Sequence, residues 1–286
     1  MQLRTVVPHP AIAPYIHHFW VFESAGGLPA TDLRVVVPNG RHKLIVPYRN
    51  GLTARGPGVQ QHHAQGEMVL IGLWEEPTEI SSTPEPTCSI GIEFLPHGLS
   101  RFVEFDLQTL TRGIVPVADV LDRAGRELSA RIASTDTLDE AIAQLQLFLL
   151  SRLRREPAPH VDAVLRLFAE HDYQLEINEL ERRMGYSRRY LHALMMRHVG
   201  LPPKRLQSVL AFERLYRSFS RDKSASQLRS DALTLFFDQS HFIRTFRRYT
   251  GFAPGKFAEL DNEFGRIFYR PAPQFPSVQY GQGPAR

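Results

Sequence analysis

The stretch YSRRYLHALMMRHVGLPPKRL, residues 186–206, aligns without a gap with FDQSHFIRTFRRYTGFAPGKF, residues 237–257, which lies 51 positions further along the chain. In both copies a residue that favours the helix N-cap, Ser187 or Asp238, precedes about three turns with helical spacing of apolar residues. Glycine then ends the helix and proline opens the next segment. A repeat of this length predicts a duplicated supersecondary unit.

The first copy has the pattern of a helix–turn–helix. Apolar spacing predicts one helix over about 177–184 and a second over about 188–198, with Gly185 between them in a turn that needs a positive φ. Leu191, Leu194 and Met195 are expected to pack inward. The opposite side of the second helix carries Arg189, His192, Ala193 and Met196. Two short helices joined by a tight turn that contains glycine are typical of DNA-binding proteins, in which the second helix enters the major groove.

The second copy divides its helix in the same way. Phe242, Phe246 and Tyr249 form an apolar seam, and the equivalent outward face carries Ser240, Ile243, Arg244 and Arg247. Arginine can bind guanine through two hydrogen bonds, so this face suits the reading of base edges. Between the copies, PKRLQSVLAFERLYRSF (203–219) predicts one long helix. Such a connector would hold the two units about one DNA turn apart, ~34 Å.

Positive charge is concentrated in this part of the chain. The whole chain has a formal charge of +4, residues 1–156 contain 14 basic and 17 acidic residues, and residues 182–256 contain 16 basic and 4 acidic residues. Such a concentration favours a polyanionic partner, because each phosphate that is neutralised releases a condensed counterion. A solvated basic surface, or a module that binds protein or RNA, is the alternative.

INELERRMGYSRRYLHALMMRHVGLPPKRL (177–206), FERL (212–215) and FFDQSHFIRTFRRYTGFAP (236–254) resemble the AraC family of bacterial transcriptional regulators. The resemblance covers about residues 160–258. It implies two helix–turn–helix units joined by a long helix, with double-stranded DNA as the partner. It assigns base reading to Arg189, His192, Ala193, Gln239, Ser240, Ile243 and Arg244. It assigns phosphate contacts to Arg188, Arg197, Arg247 and Arg248.

The chain departs from the family pattern at three places. Ala193 is shorter than the polar residue that many relatives carry there. The turn before the second recognition helix has Leu235 where glycine usually precedes the two aromatic residues, and Asp231 falls at an apolar position. We therefore expect the first helix of the second unit to be short or irregular.

The N-terminal part predicts a small antiparallel sandwich or barrel. Short β-rich runs are separated by Gly, Pro and Asn clusters up to about residue 115, after which the pattern becomes helical. PHPAIAPYIHHFWVFES, VVPNGRHKLIVPY and IGIEFLPHGLSRFV resemble the uncharacterised β-rich domain, with a cupin-like fold among the alternatives, that often precedes AraC-type DNA-binding regions. In the family such domains sense a small-molecule effector, form homodimers, or both. These alternatives stay open, and RNA polymerase is a further partner that the family admits.

The predicted architecture is an α+β chain with two domains. A β-rich sensor or dimerisation domain covers 1–117, a helical connector and linker 118–159, the DNA-binding domain 160–262, and an extended or disordered tail 263–286. The most probable linker is EPAPH at 156–160, because its prolines interrupt helices. Trp20, Phe22, Trp74 and Phe94 are the candidates for an effector pocket, with a plain barrel core as the alternative.

Other classes of function find little support in the sequence. The single cysteine, Cys88, excludes an internal disulfide bond, and neither a signal-peptide core nor an apolar run of ~18 residues is present. We therefore expect a cytoplasmic protein without a membrane partner. Adjacent histidines such as His62 and His63 point to opposite sides of a strand, so no metal or cofactor is expected. Glu75, Glu76, Glu79 and Glu85 are interpreted as a solvated loop, and no catalytic motif is found. An enzyme with chemistry in its N-terminal barrel is the less favoured alternative.

Overall fold

The computed structural model describes residues 1–154, 159–222 and 239–269, with the backbone alone for 218–222 and 239. The N-terminal part is built from strands, as predicted. They are β1 (Gln2–Thr5), β2 (Ile16–Ser24), β3 (Val35–Val36), β4 (Lys43–Arg49), β5 (Leu52–Gly56), β6 (Val59–His63), β7 (Val69–Ile71), β8 (Thr78–Ser81), β9 (Thr87–Phe94) and β10 (Ile114–Pro116).

The strands form two antiparallel sheets. The larger sheet has the order β1-β2-β9-β4-β7-β10, and the smaller one has the order β3-β8-β5-β6. Strand β9 is buried along its whole length because it lies in the middle of the larger sheet with both faces covered. Its residues therefore form a continuous apolar run rather than an alternating one. The register places Trp20 of β2 opposite Gly91 of β9.

The rest of the described chain is helical. The helices are α1 (Val117–Val120), α2 (Asp122–Ala133), α3 (Leu138–Arg152), α4 (Pro159–Glu170), α5 (Ile177–Met184), α6 (Arg188–His198), α7 (Pro203–Asp222), α8 (Gln239–Thr250), α9 (Pro254–Glu259) and α10 (Glu263–Ile267). A β-rich N-terminal domain followed by a helical C-terminal domain confirms the predicted fold class.

Helices α1–α3 pack on the larger sheet. Leu128 and Leu145 are fully buried in one cluster with Ile90 and Ile92 of β9. Burial of a leucine or isoleucine side chain contributes about 1.5–3 kcal/mol. Residues 118–154 thus share the core of the N-terminal domain, whereas the sequence was divided at 117 into a domain and a connector. Most of the predicted linker, residues 155–158, lies outside the described residues.

The first helix–turn–helix has the bounds that the sequence predicts. Helix α5 ends at Gly185, whose φ of 70° is in the left-handed region. The Ser187 side chain caps α6 by accepting a hydrogen bond from the Tyr190 backbone N–H at 3.3 Å. The long connecting helix is α7. The turn and first helix of the second unit, where Leu235 and Asp231 depart from the family pattern, lie outside the described residues.

The prediction of an extended tail from residue 263 is wrong for its first seven residues. Helix α10 occupies Glu263–Ile267, and both Phe264 and Tyr269 are buried. The ring of Phe268 lies 5.0 Å from the ring of Trp20, and that of Phe264 lies 5.5 Å from the ring of Phe22. These aromatic contacts with the N-terminal domain hold the segment in place. Residues 270–286 lie outside the described residues.

Asn262 closes the free edge of the smaller sheet. The Val35 backbone N–H donates to Asn262 Oδ1, and Asn262 Nδ2 donates to the Val35 carbonyl, both at 2.9 Å. Strand β3 is the edge strand, so this amide replaces a neighbouring strand. Gly265 makes the approach possible, because a Cβ at that position would lie well inside van der Waals distance of both the Val35 carbonyl and Asn262 Nδ2.

We expect Gly265→Ala to destabilise the protein by about 1–3 kcal/mol, because the added methyl overpacks the contact between α10 and β3. The matched control is Gly255→Ala in α9, where a Cβ would meet no atom within 4 Å. Urea unfolding of both variants measures the effect. Equal midpoints would show that α10 does not need its close approach to the sheet.

His42 makes stability depend on pH. Its side chain is fully buried, and neither ring nitrogen has a hydrogen-bond partner among the described residues. Burial, with a smaller contribution from the charge of Lys43, lowers the pKa of His42 to about 3. Burial likewise lowers the pKa of His17 and of His18.

These histidines are neutral in the folded protein at pH 5, whereas the unfolded chain binds protons below its ordinary histidine pKa of about 6.5. The free energy of unfolding should therefore fall as the pH drops from 7 to 5, by up to ~1.4 kcal/mol per pH unit for each such group. Urea midpoints at the two pH values test this. His42→Leu should reduce the difference, and a pH dependence unchanged in that variant would contradict the assignment to His42.

Candidate nucleic-acid interface

Helix α6 separates an inward face from an outward face. Leu191 and Met195 are buried in the core of the C-terminal domain. On the other side Arg189, His192 and Ala193 are exposed. The three residues predicted to read bases in the first unit thus share one accessible face.

Helix α8 repeats this division. Phe242, Phe246 and Tyr249 are buried, whereas Ser240, Ile243, Arg244 and Arg247 are exposed. Ile243 is unusual, because a large apolar side chain that is 39% exposed gains nothing from solvent. An apolar group on such a face can contact the methyl group of thymine. The side chain of Gln239, also predicted to read bases, lies outside the described residues.

The arginines on these helices form two groups. Within the described residues no ion pair involves Arg189, Arg244 or Arg247. The second group has carboxylate partners within the chain: Arg188 with Glu181 at 3.3 Å, Arg197 with Asp106 at 3.3 Å and Arg248 with Glu75 at 2.9 Å. Three of the four predicted phosphate contacts are therefore already paired, and two of the partners belong to the N-terminal domain.

Glu75 joins the N-terminal domain to both units. Its side chain is buried, its Oε2 accepts from Arg205 Nη1 at 3.0 Å, and its Oε1 accepts from Arg248 Nη2 at 2.9 Å. Arg205 follows the first recognition helix, and Arg248 lies in the second. The interpretation of the acidic stretch as a solvated loop is therefore wrong at Glu75. Its partners lie 130 and 173 positions away, so no local pattern could reveal them.

The C-terminal ends of both recognition helices meet the N-terminal domain. Gly200 and Gly251, which are equivalent in the repeat, have φ values of 87° and 83°. Thr111 Oγ1 donates to the Gly200 carbonyl at 2.8 Å, and a Cβ on Gly251 would lie 3.7 Å from Pro77. The N-terminal domain thus holds both helices at their ends and leaves their outward faces exposed.

His160 at the start of α4 positions the turn of the first unit. Its Nδ1 lies 2.9 Å from the Tyr190 hydroxyl, and its Nε2 lies 3.0 Å from the Tyr186 hydroxyl. The sequence analysis did not single out these residues. The aromatic spacing of Tyr186 and Tyr190, which are four positions apart and therefore neighbours on a helix, was the available signal.

The four candidates for an effector pocket do not lie together. Trp20 and Trp74 line a cavity of about 120 Å³. Phe22 lies in the same apolar cluster, where it packs against Phe264, but it does not line the cavity. Phe94 belongs to the core on the other side of the larger sheet, where its ring lies 5.6 Å from that of Phe102.

No three His, Cys, Asp or Glu side chains form a metal site in the part of the chain that the structure describes. Among the same residues, no helix has the length and apolar composition to span a bilayer. Cys88 is buried, and burial raises the pKa of its thiol to about 11. The thiol is therefore protonated at neutral pH and a poor nucleophile.

Comparison with known proteins gives a match for the N-terminal domain and a distant likeness for the whole chain. A family model described as a domain of unknown function (DUF6597) matches residues 4–116. No match was found among curated proteins.

Among solved structures, ToxT from Vibrio cholerae is similar, with 9% identity, coverage of 83% of this chain and 97% of ToxT, and a TM-score of 0.49. A ToxT structure with bound unsaturated fatty acid has 12% identity, coverage of 87% and 98%, and a TM-score of 0.47. The AraC-like transcriptional activator CuxR has 14% identity, coverage of 71% and 73%, and a TM-score of 0.25. These likenesses are distant, so the function has to be inferred from the residues of this chain.

Proposed function

We propose that the chain is a sequence-specific DNA-binding transcriptional regulator of the AraC type. The observation that carries the proposal is the repeated division of α6 and α8 into a buried apolar face and an exposed face with unpaired arginines. A helix that only covered a domain would have no need to present the same face twice, 51 positions apart. The role requires entry into a major groove, for which two helices with free outward faces are suited.

The two helices present different side chains at equivalent positions. Arg189 aligns with Ser240, His192 with Ile243, and Ala193 with Arg244. Arginine on one helix therefore corresponds to a small or apolar residue on the other. Because each side-chain type favours different base edges, one chain is expected to read an asymmetric site with two unlike halves.

Helix α7 and the second unit are packed as one body. The ring of Phe212 in α7 lies 4.8 Å from that of Tyr249 and 5.7 Å from that of Phe246. Tyr249 also donates from its hydroxyl to Ser208 Oγ at 3.0 Å. This packing supports a fixed placement of α8 relative to the connecting helix, which the reading of two successive major-groove segments requires.

A regulator of this kind acts on DNA in the cytoplasm and needs no catalytic residues. Control by an effector through the N-terminal domain is part of the proposal. Self-association and contact with RNA polymerase stay predictions from the family resemblance.

The first experiment is selection of bound fragments from genomic DNA by the purified full-length protein. On the selected site, Arg244→Ala should weaken binding by ~1–3 kcal/mol and relax preference at one base pair. Arg123→Ala is the matched control, because Arg123 is an exposed arginine on α2 that pairs with Glu127. Fluorescence anisotropy on a set of single-base variants of the site measures both effects.

An equal loss on all DNA sequences would assign Arg244 to a phosphate rather than a base. Failure of the selection to enrich any sequence, together with salt-sensitive binding to every fragment, would refute sequence-specific regulation. That result would favour a general module for polyanions.

Glu75 competes with DNA for Arg205 and Arg248. Because Arg248 cannot contact Glu75 and a phosphate with the same donors, we expect Glu75→Gln to tighten DNA binding by a few-fold, on the order of 1 kcal/mol. Glu127→Gln, which releases Arg123 on α2, is the control and should leave DNA affinity unchanged. Titrations at several salt concentrations should show a steeper salt dependence for Glu75→Gln, since more cations are free to displace counterions. Identical titrations for the two variants would exclude this competition.

A further inference from the structure

The cavity of about 120 Å³ lies between the two sheets and the C-terminal segment. Its walls are mostly apolar, with side chains such as Ile45, Val69 and Ile80 from three different strands. An engineered cavity of about 150 Å³ can hold benzene, so this space accommodates a molecule of about one ring.

Both tryptophans of the chain line this cavity. Trp20 is 5% exposed and Trp74 is 8% exposed, and the indole Nε1 of each has no hydrogen-bond partner among the described residues. Buried indole N–H groups usually have an acceptor. Two such donors on one cavity therefore indicate that the missing acceptor belongs to a molecule that binds there.

Glycines make room for both indoles. A Cβ at Gly91 would overlap the ring of Trp20, and a Cβ at Gly56 would lie 2.9 Å from the ring of Trp74. Each indole thus lies against a backbone that has no side chain. Packing on glycine fixes the rings at the cavity wall, so the site is preorganised.

The charged groups at the cavity already have partners. Lys43 Nζ lies 3.8 Å from Glu93, and Arg41 donates to Glu213 at 3.1 Å. His63 also lines the cavity, and burial lowers its pKa so that it is neutral at pH 7. The groups without partners are therefore uncharged donors, which favour a neutral acceptor over an ion.

The C-terminal domain contributes part of the wall. Phe264 and Phe268 line the cavity, and the ring of Phe268 lies 5.0 Å from that of Trp20. A molecule in the cavity would contact residues of both domains. Its binding would then be coupled to the docking of α10 and the helices before it.

We propose that this cavity binds a small, uncharged, single-ring molecule with an acceptor oxygen, which the indole N–H groups of Trp20 and Trp74 recognise. The inference that this molecule acts as an effector rests on the proposed function; the binding site itself does not.

Because both tryptophans line the cavity, intrinsic fluorescence reports its occupancy directly. The probes are cyclohexanone, methylcyclohexane, which has a similar shape but no acceptor, and the cyclohexylammonium ion. In the full-length protein cyclohexanone should shift the emission and raise the unfolding temperature. It should bind about tenfold more tightly than methylcyclohexane, as expected for one buried hydrogen bond. The ammonium ion should not bind.

Trp20→Phe and Trp74→Phe keep an aromatic ring but remove one N–H, and each leaves the other tryptophan as the reporter. At least one of them should abolish the tenfold preference for cyclohexanone while leaving methylcyclohexane binding unchanged. Equal affinity of the wild type for the two probes would overturn the proposal. So would binding of the ammonium ion, or absence of any shift with cyclohexanone.

A separate titration of DNA with and without saturating cyclohexanone tests the role as effector. Altered DNA affinity would support it. Unchanged affinity, with binding to the cavity demonstrated by fluorescence, would refute the coupling and leave the site in place. Failure to bind any DNA sequence would refute the proposed function alone.

Discussion

The amide of Asn262 holds together two parts of the chain that are 227 positions apart. It satisfies both the N–H and the carbonyl of Val35 on the open edge of the smaller sheet, where no strand follows β3. Loss of these bonds would leave buried backbone groups unpaired, at about 1–3 kcal/mol each. This pairing fixes the start of α10. The aromatic wall formed by Phe264 and Phe268 therefore depends on one side chain.

This closure gives the N-terminal domain a structural role for the DNA-binding domain. Residues on either side of the cavity wall, Glu75 and Thr111, hold the ends of α8 and α6. The contacts involve the C-terminal ends of these helices, so the faces proposed to enter the grooves stay exposed. A change at the cavity wall can reach the recognition helices through a short, well-packed path. Spatial proximity alone does not establish coupling, which has to be measured as a difference in free energy.

The sequence predicted best what local interactions determine. The bounds of α5 and α6 follow from apolar spacing, the Ser187 cap and the left-handed glycine Gly185, all within about twenty residues. It failed where the determining partner is remote. Glu75 has the surroundings of a loop residue until Arg205 and Arg248 arrive, and α10 is a helix of only five residues. Such a short helix is stabilised by tertiary contacts rather than by its own sequence.

Net charge alone could not separate the two uses of arginine in this chain. The basic segment at 182–256 faces both a DNA partner and an N-terminal domain with excess negative charge. The structure separates them by direction: Arg189 and Arg244 point outward without partners, whereas Arg205 and Arg248 bind a buried carboxylate. Moving Arg248 from Glu75 to a phosphate exchanges one ion pair for another and adds little net affinity. The outward arginines can therefore contribute most of the discrimination between DNA sequences, and the inward ones the orientation of the two units.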